Sequence, residues 1–129
     1  MSRSDEAAPR TPERHSHLTP QGRAYWLTER LWEAAKGLPV RQVAISDIAE
    51  FDRDCWFGDR RAPTCRAVAE HARRIEAADL SHPVILSADG QLMDGGHRIA
   101  KAWLLGLSEV AAVRFEVDPP PDYVVPGSA

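Results

Sequence analysis

The sequence predicts a small domain of mixed α/β class, of the α+β kind: a short mixed sheet flanked by helices. Two observations predict it. Amphipathic stretches of helical period alternate with short runs rich in β-branched residues, and Gly, Pro and Asp-Gly punctuation separates nearly all of them. The resulting order is helix, strand, helical turn, helix, hairpin, helix, strand, which suits two layers around one modest core. The chain has 129 residues, enough for a single domain with tails.

The elements follow in order. Residues 1–23 are rich in Ser, Thr, Pro, Arg and Glu, with Met1 and Leu18 as their only large apolar residues. Such a stretch buries too little surface to offset its ordering entropy, so an N-terminal tail, disordered or extended, is expected there. From Tyr25 to Lys36, Leu27, Leu31 and Ala34 recur at helical spacing, and Gly37 and Pro39 mark the stop. Gln42 to Ile45 reads as a strand, and Ser46 to Glu50 as a capped helical turn. Asp52 to Asp59 reads as a loop whose adjacent Trp56 and Phe57 either plug the edge of the core or line a pocket.

Pro63-Thr64 opens the next helix, with Thr64 as N-cap. Val68, His71 or Ala72, and Ile75 form its apolar face, so His71 lies near the core or a cleft. Pro83 to Ser87 and Gln91 to Met93 read as strands around the Asp89-Gly90 turn. A helix then runs from the Gly95-Gly96 pair to about Leu105, burying Ile99, Ala102 and Trp103, with Gly106 as its stop. Glu109 to Val117 is the last strand. Residues 119–129, opening on three prolines, read as an extended C-terminal tail. The domain proper is thus expected over 24–118.

Charge narrows the function. Beyond Arg23 the chain holds 12 basic against 16 acidic residues. An acidic body disfavours DNA, whose binding rests on phosphate neutralisation. Cys55 and Cys65 have no metal-ligand or redox spacing, so a metal site is not expected. No secretory h-region or membrane-length apolar run is present, so a cytoplasmic protein with no membrane partner is expected.

The chemistry-bearing stretch is Met93-Asp94-Gly95-Gly96-His97-Arg98-Ile99-Ala100-Lys101. A helix starting at such a turn offers unpaired N–H groups and partial positive charge. Gly95 and Gly96 let an anion approach the backbone, Arg98 can pair with a phosphate bidentately, and His97 can donate a bond or move a proton. Lys101 lies one turn after His97 on the same face. Asp94 could cap the helix, hold the His97 tautomer or help bind a metal. The same residues could equally form only a tight connection. Neither the Gly-x-x-x-x-Gly-Lys nor the Gly-x-Gly-x-x-Gly pattern is present.

Pro83 to Leu86, Asp89-Gly90, Met93 to Arg98, Ala100 to Ala102, Gly106 and the run Val110 to Phe115 together resemble the ParB/sulfiredoxin-like superfamily over about residues 40–117. That resemblance implies a compact fold holding a nucleoside triphosphate, ATP or CTP, with or without Mg2+. Its phosphates would lie over Gly95, Gly96, His97 and Arg98. Sulfiredoxin carries a Cys where this chain has Gly96, so sulfinic-acid repair is not expected. No match to the partition proteins' Glu-Asn-x-x-Arg motif or DNA-reading region occurs in these residues.

The Asp-Gly-x-His-Arg core resembles most the free-serine kinase branch, where an early acid serves as base. Glu50 is the candidate by position, with Asp47 and Asp52 as rivals. The expected catalytic set is therefore His97, Glu50 and Asp94. The expected ligand set is Gly95, Gly96, His97, Arg98 and Lys101, with Thr64, Arg66, His71 and Trp56 completing it. Three functions follow: a non-catalytic nucleotide sensor or interaction module, partnered by another protein or a second copy; a phosphotransferase or nucleotide hydrolase; and, disfavoured by charge, a DNA-associated nuclease.

Overall fold

The computed structural model describes residues 13–59 and 61–127. They divide into two compact units, one holding the described residues up to Ala34 and those from Pro120, the other running from Ala35 to Pro119. This corrects the expected boundaries: the body does not begin at residue 24, and parts of both expected tails are strands of one sheet. Residues 1–12 of the N-terminal tail lie outside the described residues.

The first unit is a three-stranded antiparallel sheet in the order β1-β2-β7, with β1 at Arg14–Thr19, β2 at Gly22–Leu27 and β7 at Tyr123–Val125. The Thr19-Pro20-Gln21-Gly22 turn joins β1 to β2, with Thr19 Oγ1 donating to the Gly22 carbonyl at 2.7 Å. Pro suits the second position of such a turn and Gly the last. β2 alternates as a half-buried strand should, with Ala24 and Trp26 buried. Tyr25 stacks on Tyr123 across the β2–β7 pair, ring centroids 4.8 Å apart. Asp122 clasps the segment, accepting from Leu27 N–H at 2.7 Å and from Arg30 Nε at 3.0 Å. Helix α1 therefore spans only Thr28–Ala35, because Tyr25 to Leu27 belong to the strand.

The second unit carries a four-stranded mixed sheet in the order β3-β6-β4-β5, with β3 at Arg41–Ala44, β4 at Val84–Leu86, β5 at Leu92–Asp94 and β6 at Glu109–Arg114. β6 runs parallel to β4 and antiparallel to β3, while β4 and β5 form the expected hairpin. Two 3-10 turns, Ile45–Asp47 and Ala49–Asp52, follow β3 in place of the expected side-chain-capped turn. Helix α2 spans Cys65–Ala77 and helix α3 spans Gly96–Leu104. Thr64 caps α2 as expected, its Oγ1 accepting from Ala67 N–H at 3.1 Å. Ile45, Ile48, Val84, Leu86, Leu92, Ile99, Ala102, Val110 and Ala112 form the core.

Three packing expectations are corrected. Val68 is exposed, and the partly buried stripe of α2 is Ala67, His71 and Ile75. Trp103 is 58% exposed, because Ile99 and Ala102 alone point α3 into the core. The strand expected to reach Val117 ends at Arg114, and Val117 is exposed.

Candidate functional site

The Asp94-to-Lys101 stretch forms the junction of β5 and α3. Gly95 is the N-cap at φ +126°, and a Cβ there would meet Val84 Cγ1 at 2.5 Å. Only glycine suits both the backbone and the contact. Gly96 faces Trp56: a Cβ on it would lie 3.3 Å from the indole Nε1. The paired glycines thus seat the helix against β4 and under Trp56. No side chain caps α3, so its first N–H groups, those of Gly96, His97 and Arg98, have no intrahelical partners.

The two cations of the motif are committed to carbonyl and carboxylate oxygens. Arg98 donates to Asp94 Oδ2 at 2.6 Å, to the Pro83 carbonyl at 2.6 Å and to the His82 carbonyl at 3.1 Å. Arg98 and Asp94 are both largely shielded, with side chains 14% and 17% exposed. Lys101 Nζ donates to the carbonyls of Glu76 and Ala78 at 2.8 and 2.7 Å, closing the end of α2. Arg98 and Lys101 therefore tie α3 to the segments beside it, rather than reaching outward as a phosphate clamp would.

His97 meets His71 of α2, with Nε2 2.8 Å from Nδ1 of His71. The rings lie within 10° of coplanar, and Trp56 stacks on both, at 4.7 Å from His71 and 4.6 Å from His97. Burial is the main cause that pushes His97 down to about 4, followed by the charge of Arg74 and the neighbouring His71. His71 is lowered as well, by burial and then by Arg74. A neutral pair puts one ring N–H between the two nitrogens, which satisfies both under the indole.

The loop that carries Trp56 is folded around Asp54, whose carboxylate accepts from the N–H groups of Trp56, Phe57 and Gly58 at 3.0, 2.8 and 2.7 Å. Those bonds, led by that of Phe57, hold the Asp54 carboxyl below its ordinary range. Glu50, on the 3-10 turn, accepts from Leu92 N–H at 3.1 Å and lies 3.9 Å from Arg53. The Cys55 thiol donates to the Glu50 carbonyl at 3.4 Å, and burial, followed by the charges of Glu50 and Asp54, raises its pKa.

These elements enclose a groove of about 480 Å³. Glu50, Trp56 and Gly96 line it, with Phe51, Phe57 and Trp103 among the other walls. Three expected site residues therefore share one groove. His97 and His71 lie beneath its Trp56 wall, while Asp94, Gly95, Arg98 and Lys101 stand outside its lining. Thr64 is occupied as the cap of α2, and Arg66 is an exposed residue on that helix. Asp47 and Asp52, the rivals of Glu50, do not line the groove.

Sequence reasoning missed Phe51 and Arg74. Arg74 stands three residues after His71, and that helical spacing was the available signal. Phe51 follows Glu50 directly and packs at 6.2 Å from the Trp103 ring, a pairing distant in sequence. Among the described residues no group of three or more His, Cys, Asp or Glu could hold a metal ion, and no helix is long and apolar enough to cross a membrane. No protein-family model, curated protein or solved structure matches the chain.

Proposed function

We propose that this chain is a nucleotide-binding module of ParB/sulfiredoxin-like type that works as a cytoplasmic sensor or interaction domain rather than as an enzyme. One observation carries the reading. Trp56, Glu50 and Gly96 line the same groove, beside the uncapped start of α3. Its volume falls in the range of small-ligand sites, roughly 300–1,000 Å³. Trp56, Phe57 and Trp103 offer faces and edges for a planar base, worth about 1–3 kcal/mol per stacked base. Phosphates would then face the N–H groups of Gly96 and His97.

The engaged state of Arg98 and Lys101 supports binding over catalysis, since both cations of the motif are already held by carbonyl and carboxylate oxygens and do not reach a transferred phosphoryl group. The unpaired thiols of Cys55 and Cys65 suit a reducing compartment. The phosphotransferase reading keeps one specific observation in its favour: Glu50, the expected base, reaches the groove.

The test is thermal denaturation with ATP, CTP, GTP and UTP, each with and without Mg2+, on the natural chain and on Trp56→Ala. Stabilisation by at least one nucleotide is expected, lost in Trp56→Ala, with no phosphate release. Absence of a shift with all four would overturn the reading. Phosphate release or transfer abolished by Glu50→Gln would replace it with the enzymatic one.

A further inference from the structure

Glu50 is an unusual wall for a groove lined largely by aromatic and aliphatic side chains. Its side chain is only 19% exposed, and its carboxylate accepts one hydrogen bond, at Oε1 from Leu92 N–H at 3.1 Å. Oε2 meets the Arg53 guanidinium at 3.9 Å, beyond hydrogen-bond reach. A carboxylate has about four lone-pair sites, and shielding one from water is costly unless donors fill them. The neighbouring polar groups are spent. Asp54 accepts from three backbone N–H groups, and the Cys55 thiol donates to the Glu50 carbonyl. Arg53, with its side chain 68% exposed, keeps its guanidinium N–H groups for a ligand. The groove therefore offers a donor, Arg53, beside two carboxylate oxygens, one of which is pinned by β5.

For a nucleotide in this groove, that order of groups selects the base. A base stacked on an aromatic side chain is read along its hydrogen-bonding edge. Guanine presents an acceptor, O6, followed by two donors, N1–H and the 2-amino group. Its complement is donor, acceptor, acceptor, which Arg53 and the two Glu50 oxygens supply in one place. Adenine and cytosine would turn a ring-nitrogen acceptor towards the carboxylate, and uracil its O2. Each sets lone pair against lone pair, and such mismatches discriminate strongly. The position along the strand suits the rest of the ligand. Leu92, which pins Oε1, opens β5, while Gly96 follows the strand's end. The carboxylate and the N–H groups at the start of α3 thus stand at opposite ends of about 10 Å of strand. The acid reads the base without repelling the phosphates.

We propose that the groove selects guanine nucleotides, with the Glu50 carboxylate accepting from N1–H and the 2-amino group and Arg53 donating to O6. The selection rests on the groove holding a nucleotide, and it departs from the ATP or CTP that the family resemblance implies. Calorimetric titration of the full chain with GTP, ITP, ATP, CTP and UTP tests it. GTP is expected to bind at least about tenfold tighter than each of the others. ITP is the sharpest comparison, since it differs from GTP only in lacking the 2-amino group and needs no variant. Glu50→Gln keeps an amide oxygen for Leu92 N–H but sets an NH2 donor against the donors of guanine. It is expected to bring GTP down to the level of ATP. A GTP preference below about tenfold over ATP and CTP, or an ITP affinity equal to that of GTP, overturns the base assignment and leaves the groove reading standing. A GTP preference that survives Glu50→Gln does the same. Failure of every nucleotide to bind overturns the groove reading, and the base assignment with it.

Discussion

The two ends of helix α3 are built in opposite ways. At its start, nearly every residue is engaged: Gly95 is pressed against Val84, Gly96 lies under Trp56, His97 meets His71, and Arg98 holds Asp94 and two carbonyls. At its end, Trp103 to Leu107 leave large apolar surface in water while the backbone closes its own turn. The contrast teaches that a polar, glycine-rich motif can be structural in most of its residues. The apolar end, whose Trp103 a helical pattern assigns to the core, keeps its large side chains in water.

The largest effect should come from the most constrained position. Gly95→Ala puts a Cβ into Val84 and a side chain onto a backbone at φ +126°. Urea denaturation is expected to show a loss of at least about 3 kcal/mol, the combined scale of overpacking and left-handed strain. A loss under about 1 kcal/mol would mean that the start of α3 is not tightly seated, and the contrast between its ends would fail.

Arg98→Ala comes next. It removes the guanidinium held at 2.6 Å from the shielded Asp94 carboxylate and the donor shared by two carbonyls, at a cost of about 3 kcal/mol by chemical denaturation. Arg98→Lys should recover only part, since an ammonium cannot reproduce the fork that spans carboxylate and carbonyls. An Arg98→Ala protein of natural stability that loses nucleotide binding would instead make Arg98 a ligand residue.

The smallest effect is the pH response of the histidine pair. His97 takes up its proton at about 4 in the fold and near 6.5 when unfolded. Between those values the unfolded chain binds more protons, so stability rises with pH. The contribution is complete above about pH 6.5 and is lost as pH falls towards 4. Its size is about 1 kcal/mol, because solvent screens a partly buried ring. His97→Gln should flatten the stability profile across this window. An unchanged profile would show that the pair under Trp56 is not held neutral by its surroundings.

Legibility differed by region for physical reasons. The four-stranded sheet's hairpin, the Thr64 cap and the glycine stop after α3 depend on residues close in sequence, and each was readable. The three-stranded sheet was not read. Its β1–β2 turn was present as Thr19-Pro20-Gln21-Gly22, but the β1 strand is polar, and the sheet is completed by Tyr123 and Asp122 about a hundred residues away. Composition alone made that segment a tail.

The site divided in the same way. Glu50, Trp56 and Gly96 were named from sequence and do share a groove. The assignment of Arg98 and Lys101 to a ligand did not foresee their bonds to Asp94 and to the carbonyls of His82, Pro83, Glu76 and Ala78. A guanidinium or an ammonium has the same donors for a phosphate as for a carbonyl, and only neighbouring backbone decides which it meets.

What the sequence determined by itself is therefore local: where chain reversals fall, which helix starts on two glycines, and that a short mixed sheet follows. Backbone dihedral preference and nearest-neighbour hydrogen bonding act over a few residues and leave their mark in composition. Tertiary structure alone decided which donors were already satisfied and which apolar side chains stayed in water. Both depend on atoms brought together from distant parts of the chain.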